Sequence, residues 1–154
     1  MTSVCLLDTS VFVEILALPK FSQNPTTYQD QLQSKLRDKE ALVLPFATIL
    51  ETGNHIAKIK GVKNLRLSIA KDFANLVESS LVTHKPFRVR QWPSRELVSA
   101  WLSVFPEEAN RGVGLADLSI KAEWKMLCDR YPQNYRVYVW SKDRHLLSCY
   151  RPAI

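Results

Sequence analysis

Four acidic residues occupy positions where a folded sheet would gather them. Asp8 follows the apolar run Val4-Cys5-Leu6-Leu7 and precedes Thr9-Ser10 and Val11-Phe12-Val13, while Asp143 follows Val137-Tyr138-Val139-Trp140 and Ser141-Lys142. In open α/β sheets the carboxyl ends of strands line the ligand crevice, so two aspartates that each follow a strand fall on one edge and can meet. Glu51 lies in a helical pattern after the second apolar run, and Asp117 in the first turns of a long one. Two like charges ~4 Å apart repel by roughly 4 kcal/mol at an effective dielectric near 20, so such a cluster needs protons or a cation. Magnesium or manganese suits it: each takes oxygen ligands and keeps waters that leave room for phosphate oxygens. The chemistry such a centre offers is an attacking water held by the metal beside bound phosphate oxygens.

Each residue alone also has an ordinary reading. Asp8 and Asp143 can cap the helices that follow them, Asp117 suits a helix N-terminus, and Glu51 suits a solvated face. The order and setting of all four favour a shared centre.

The elements that must position them follow from apolar period and stop signals. Ser3 to Leu7 reads as a buried strand, with Thr9 or Ser10 capping a helix through Leu16 that Pro19 closes. Thr27 with Asp30 suggests a helix over Tyr28 to Lys39, then Ala41 to Leu44 forms a short apolar strand. Pro45 opens a helix with the stripe Phe46, Ile49, Leu50, Ile56 and Ile59, ending near Gly61, and Asn64 starts another through Val77. Phe87 to Trp92 alternates as a half-buried strand, and Pro93-Ser94 opens a helix that Pro106 ends. A loop from Glu107 to Gly112 leads to a helix over Val113 to Arg130 with Leu115, Leu118, Trp124 and Leu127 packing, then a last strand and a short helix over Arg144 to Cys149. Strands separated by helices predict the α/β class, a parallel sheet covered on both faces.

At 154 residues with 46% hydrophobic content, the chain suits one domain, 1–154, with a substantial core. No window resembles a transmembrane span and the apolar N-terminus lacks a preceding basic region, so a cytoplasmic protein without membrane attachment is expected. Three cysteines without a CxxC pair fit reduced thiols, with Cys5 and Cys128 read as core. A net charge of +6 attracts polyanions, nucleic acid first among them. Only four glycines are present and no Gly-rich loop follows a strand, which argues against dinucleotide and Walker-type phosphate sites.

The chain resembles the PIN-domain family, and especially the VapC-like ribonucleases of toxin–antitoxin modules. The resemblance spans nearly the whole chain and is carried by Leu6-Leu7-Asp8-Thr9-Ser10-Val11-Phe12, by Pro45 to Ile59 around Glu51, by Gly114-Leu115-Ala116-Asp117 and by Val139-Trp140-Ser141-Lys142-Asp143. It implies a PIN-like three-layer α/β/α fold with a central parallel sheet. It also implies Mg²⁺ or Mn²⁺ held by Asp8, Glu51, Asp117 and Asp143, and an endoribonuclease leaving 5′-phosphate and 3′-hydroxyl ends. RNA as substrate, a small antitoxin and a homodimer are its implied partners. Ser141 stands where the family often has threonine or serine, and Thr9 belongs to the opening motif.

Asn54 and Lys58, at i+3 and i+7 from Glu51, are candidates to orient its carboxylate or meet phosphate. His55, His84 and His145 show neither metal-ligand spacing nor a paired nucleophile, so surface or local hydrogen-bonding roles are expected. Glu107 and Glu108 read as an exposed acidic turn. Lys85, Arg88, Arg90, Trp92 and Arg95 interleave cations with an aromatic, as single-strand binders do, although a solvated strand face fits equally well. Two rivals remain: a haloacid-dehalogenase-type phosphotransferase, which usually shows DxD where this chain has Ser10, and a catalytically idle PIN-like module that binds RNA or protein without cutting.

Overall fold

The computed structural model describes residues 2–61 and 64–154. Strands β1 (Ser3–Leu7), β2 (Ala41–Leu44), β3 (Arg88–Val89), β4 (Arg136–Trp140) and β5 (Tyr150–Arg151) form one sheet in the spatial order β3-β2-β1-β4-β5. The helices are α1 (Thr9–Ile15), α2 (Pro25–Arg37), α3 (Phe46–Ala57), α4 (Leu65–Thr83), α5 (Arg95–Asn110) and α6 (Leu115–Arg130).

The two-residue period of a strand divides the core between the sheet's faces. Cys5, Leu7, Leu42 and Leu44 pack one way, against Phe12 of α1, Leu32 of α2 and Val77 of α4. Val4, Leu6, Val43, Val137 and Val139 pack the other way, against Ile120 and Leu127 of α6. Burying each large apolar side chain is worth about 1.5–3 kcal/mol, so a slip of one residue in β1 would cost both layers at once.

β1 pairs in parallel with β2 and β4, and β2 in parallel with β3. The chain builds outward from β1 through β2 to β3, then returns to place β4 on β1's other side. The reversal makes a topological switch point between β1 and β4, and Asp8 and Asp143 emerge there.

Several elements differ from their sequence reading, each for a local reason. The sheet is mostly rather than wholly parallel, because β5 runs antiparallel to β4. Residues 144–148 form turns rather than a helix. Pairing of Phe87 to Trp92 shrinks to Arg88–Val89 because the partner strand β2 stops at Leu44, ahead of Pro45. α2 begins at Pro25, whose fixed φ suits a first helical position, and Thr27 plays no capping role. α3 ends at Ala57, short of Gly61, and α6 starts at Leu115 rather than Val113.

Pro106 lies inside α5 rather than ending it, so Glu107 and Glu108 belong to the last helical turn. Termination falls to Gly112 at φ 81°, after Glu108 accepts from the amides of Arg111 and Val113. Leu50 and Leu115 are exposed at 53% and 38%. The buried face of α3 is Thr48, Thr52 and Ile56, and Thr48 Oγ1 donates to the Leu7 carbonyl at 2.7 Å. Cys128 is only half-buried, whereas Cys5 and Cys149 are buried, and all three thiols are free.

Candidate functional site

Asp8 is the residue that caps α1, in place of Thr9 or Ser10: it sits at φ −85°, ψ 157° and its side chain accepts from the Ser10 amide. Its own amide donates to the Trp140 carbonyl at 3.1 Å, which fixes it to the end of β4. Only 4% of it is exposed. Oδ2 accepts from the Ser10 amide at 3.3 Å, from Ser10 Oγ at 2.6 Å and from Ser141 Oγ at 2.7 Å. Among the described residues Oδ1 accepts no hydrogen bond. Capping and ligation are therefore compatible, since the scaffold occupies one oxygen and leaves the other.

The two serines are themselves oriented. Ser10 Oγ accepts from the Lys142 amide at 2.9 Å and Ser141 Oγ from the Asp143 amide at 2.8 Å, so both hydroxyl protons are directed at Asp8. The same bonds tie the segment carrying Asp143 to the start of α1. Asp143 Oδ1 in turn accepts from the His145 amide at 2.7 Å, which closes the turn after β4. Thr9 Oγ1 donates to Glu51 Oε2 at 2.7 Å, joining α1 to α3 across the crevice.

Asp117 enters from the first turn of α6, where the helix dipole favours an acid. Burial, and then the charges of Asp143, Asp8 and Glu51, push its carboxyl up from 3.8 to about 6, with His145 acting in the opposite direction. Asp8, Thr9, Ser10, Glu51, Asp117 and Asp143 line one pocket of about 270 Å³, with Val13 and His55 completing its wall.

All four acidic candidates and Thr9 thus share one pocket, and Ser141 stands behind it on Asp8. Asn54 and Lys58 do not: both are exposed, and neither lines the pocket. His55 corrects a second expectation, because it lines the pocket, stacked on Phe21 at 4.3 Å between centroids, with Nδ1 buried and without a hydrogen-bond partner among the described residues. The sequence reading also passed over Glu14 and Lys142. An acid within the apolar run of α1 was the available signal, because a buried carboxylate requires a partner.

Four carboxylates around one pocket are the hard oxygen donors that Mg²⁺ or Mn²⁺ takes, and a cation would offset the repulsion that, after burial, raises Asp117. Their spacing is open: among the described residues no group of three or more histidine, cysteine or acidic side chains is drawn together tightly enough to hold a metal ion. The donor types suit such a metal, whereas the side chains as placed do not close around an ion.

The basic candidates disperse. Arg90 Nε lies 3.2 Å from Glu123 Oε1, in an ion pair whose angle is not that of a hydrogen bond. Lys85 precedes β3 and so falls at the sheet's amino edge, away from the pocket, whereas Trp92 and Arg95 follow β3 and fall on the pocket's side.

No family model and no curated protein sequence matches the chain. Among solved structures, a chain of "Structure of FitAB bound to IR36 DNA fragment" is similar, with a TM-score of 0.56 and 20% identity over 94% of this chain and 89% of that one. The fold is accordingly PIN-like α/β, a central mostly parallel five-stranded sheet flanked by helices.

Proposed function

We propose that this PIN-like protein is a metal-dependent endoribonuclease, the VapC-like toxin of a toxin–antitoxin pair, with Asp8, Glu51, Asp117 and Asp143 as the ligands of Mg²⁺ or Mn²⁺. The observation that carries the reading is the pocket at the β1–β4 switch point lined by all four carboxylates. When bound, the cation supplies an acidified water and neutralises charge on the phosphate. Ser10 and Ser141 hold Asp8 in one orientation, Thr9 holds Glu51, and Asp117, whose carboxyl is raised to about 6, would have to lose its proton to act as a ligand. The positive net charge draws the RNA backbone toward an otherwise acidic mouth.

The similarity to a chain of FitAB supports the toxin–antitoxin part of this reading, and with it a small antitoxin partner; the homodimer rests on the family resemblance alone. Among the described residues no helix is long and apolar enough to cross a membrane. The test is incubation of structured RNAs with the purified protein in Mg²⁺ or EDTA, with the cut ends mapped. Cleavage that needs Mg²⁺ and disappears in Asp117→Ala is expected, together with growth arrest on expression that the same substitution relieves. RNA binding without any cutting would establish the idle module instead, and cutting that persists in Asp117→Ala would place the chemistry elsewhere.

A further inference from the structure

We infer that Trp92 is a stacking platform for an unpaired base of the RNA strand whose phosphate reaches the acidic pocket, an inference that rests on the ribonuclease reading. β3 runs parallel to β2, and β2 to β1, so residues following Val89 leave the sheet at the edge where Asp8 stands. Trp92 comes three residues after Val89. The residue is 66% exposed, and its ring forms a T-shaped pair with Phe46, with centroids 4.2 Å apart and planes at 74°. Phe46 is the first residue of the helix that carries Glu51, so the ring stands at the root of a pocket wall.

The ring is held as well as exposed. Arg90, two residues before it, is tied to Glu123, and Ser94, two residues after it, accepts from the Leu97 amide at 3.2 Å to cap α5. An aromatic braced by one neighbouring ring and still largely exposed loses little freedom when a base stacks on it. Every base offers a π face, so such a contact selects unpaired strands without selecting sequence. Two strand spacings of ~4.8 Å separate β3 from β1, so the chain leaves β3 roughly 10 Å along the edge from the end of β1 that carries Asp8, a span of the order of neighbouring nucleotides. Arg95, three residues on in the first turn of α5, is exposed and offers a cation for the intervening phosphates.

A protein partner is the other occupant for an exposed indole. The cationic neighbour, and the placement on the pocket's edge, favour the nucleic acid.

The experiment is fluorescence anisotropy of a short fluorescein-labelled oligoadenylate in EDTA, which keeps the strand intact, with a blunt RNA duplex as the control. Trp92→Ala should weaken single-strand binding by roughly 5- to 150-fold, the effect of losing one stacked base, while Trp92→Phe retains most of the affinity. Duplex binding, the far-UV circular dichroism and Mn²⁺ binding should be unchanged in both variants. Equal single-strand affinity of wild type and Trp92→Ala overturns the platform, leaves the ribonuclease reading intact and frees this face for a protein. Equal losses on strand and duplex overturn it as well. Wild type that binds no RNA of either kind overturns both readings together.

Discussion

Lys142 Nζ lies 2.6 Å from Oε1 of Glu14, a carboxylate with no exposed surface. The same carboxylate accepts from the amides of Gln23 and Asn24, at 2.9 Å each to Oε2. One buried acid therefore ties α1 to the loop before α2 and to the segment carrying Asp143. Lys142→Ala should cost about 1.5–3 kcal/mol in urea unfolding, the usual worth of a hydrogen bond to a charged group. It should also loosen Asp143, so Mn²⁺ binding weakens although no proposed ligand is touched. Unchanged stability would mean that the two backbone donors suffice for Glu14.

Burial alone would raise the Glu14 carboxyl, but the hydrogen bonds from Lys142, Asn24 and Gln23 outweigh it and hold the group below its ordinary value of 4.5. A depressed folded pKa makes its contribution fully present above the unfolded value and lost as pH falls through the folded one. Glu14→Gln should therefore be less stable than wild type at neutral pH, with the gap closing on acidification below about pH 4.5. Thermal melts of both proteins across that range decide it; a gap independent of pH would make the loss one of shape rather than charge.

Ser141→Ala removes one of the donors aimed at Asp8 Oδ2. Partners that orient a ligand typically matter by 10- to 100-fold in metal affinity, so calorimetry with Mn²⁺ should show a loss of roughly tenfold. Asp8→Asn should lose far more. Asn54→Ala, at an exposed position off the pocket, should bind as wild type does. A loss in Asn54→Ala equal to that in Ser141→Ala would mean that the hydroxyl's aim on Asp8 is immaterial.

The contrast between Ser141 and Asn54 shows what the sequence could reveal. Asp8 and Asp143 were legible because each follows an apolar run, and a strand's end has only one place in a parallel sheet. Glu51 and Asp117 were legible only as partners to those two. Asn54 and His55 flank Glu51 by about 60° and 40° on opposite sides of the helix, and only the position of α1 chooses between them. The face of α3 was misread because Thr48 and Thr52 are buried polar residues, so hydrophobicity pointed to Leu50 instead. Glu14 and Lys142 lie 128 residues apart, beyond the reach of any local pattern. Pro106 does not end α5 because a single lost amide bond near a solvated helix end is tolerable when Gly112 supplies the stop.

Asp117 predicts how metal binding follows pH. With its carboxyl at about 6, raised first by burial and then by its three acidic neighbours, the proton competes with the cation below that value. Apparent Mn²⁺ affinity should level off above about pH 7 and fall by up to tenfold per unit beneath about pH 6. Asp117→Asn should bind more weakly throughout and lose that part of the dependence. A wild-type affinity that is flat from pH 5 to 7.5 would remove Asp117 from the ligand set.

Glu123 predicts a second pH effect, of opposite sign to that of Glu14 and in a different window. Burial raises its carboxyl from 4.5 to about 7, and the Arg90 charge recovers only part of the shift. A raised folded pKa makes the contribution fully present below 4.5 and progressively lost as pH climbs to about 7. Wild type should therefore lose stability over that interval relative to Glu123→Gln, which stays neutral, and the difference should reach a plateau above it. Arg90→Ala leaves the buried carboxyl without its one cation, so its window should move to higher pH. Arg90 also anchors the segment before Trp92, so the same variant should weaken single-strand binding without altering Mn²⁺ affinity. Parallel stability curves for wild type and Glu123→Gln would show that this carboxyl does not titrate on folding.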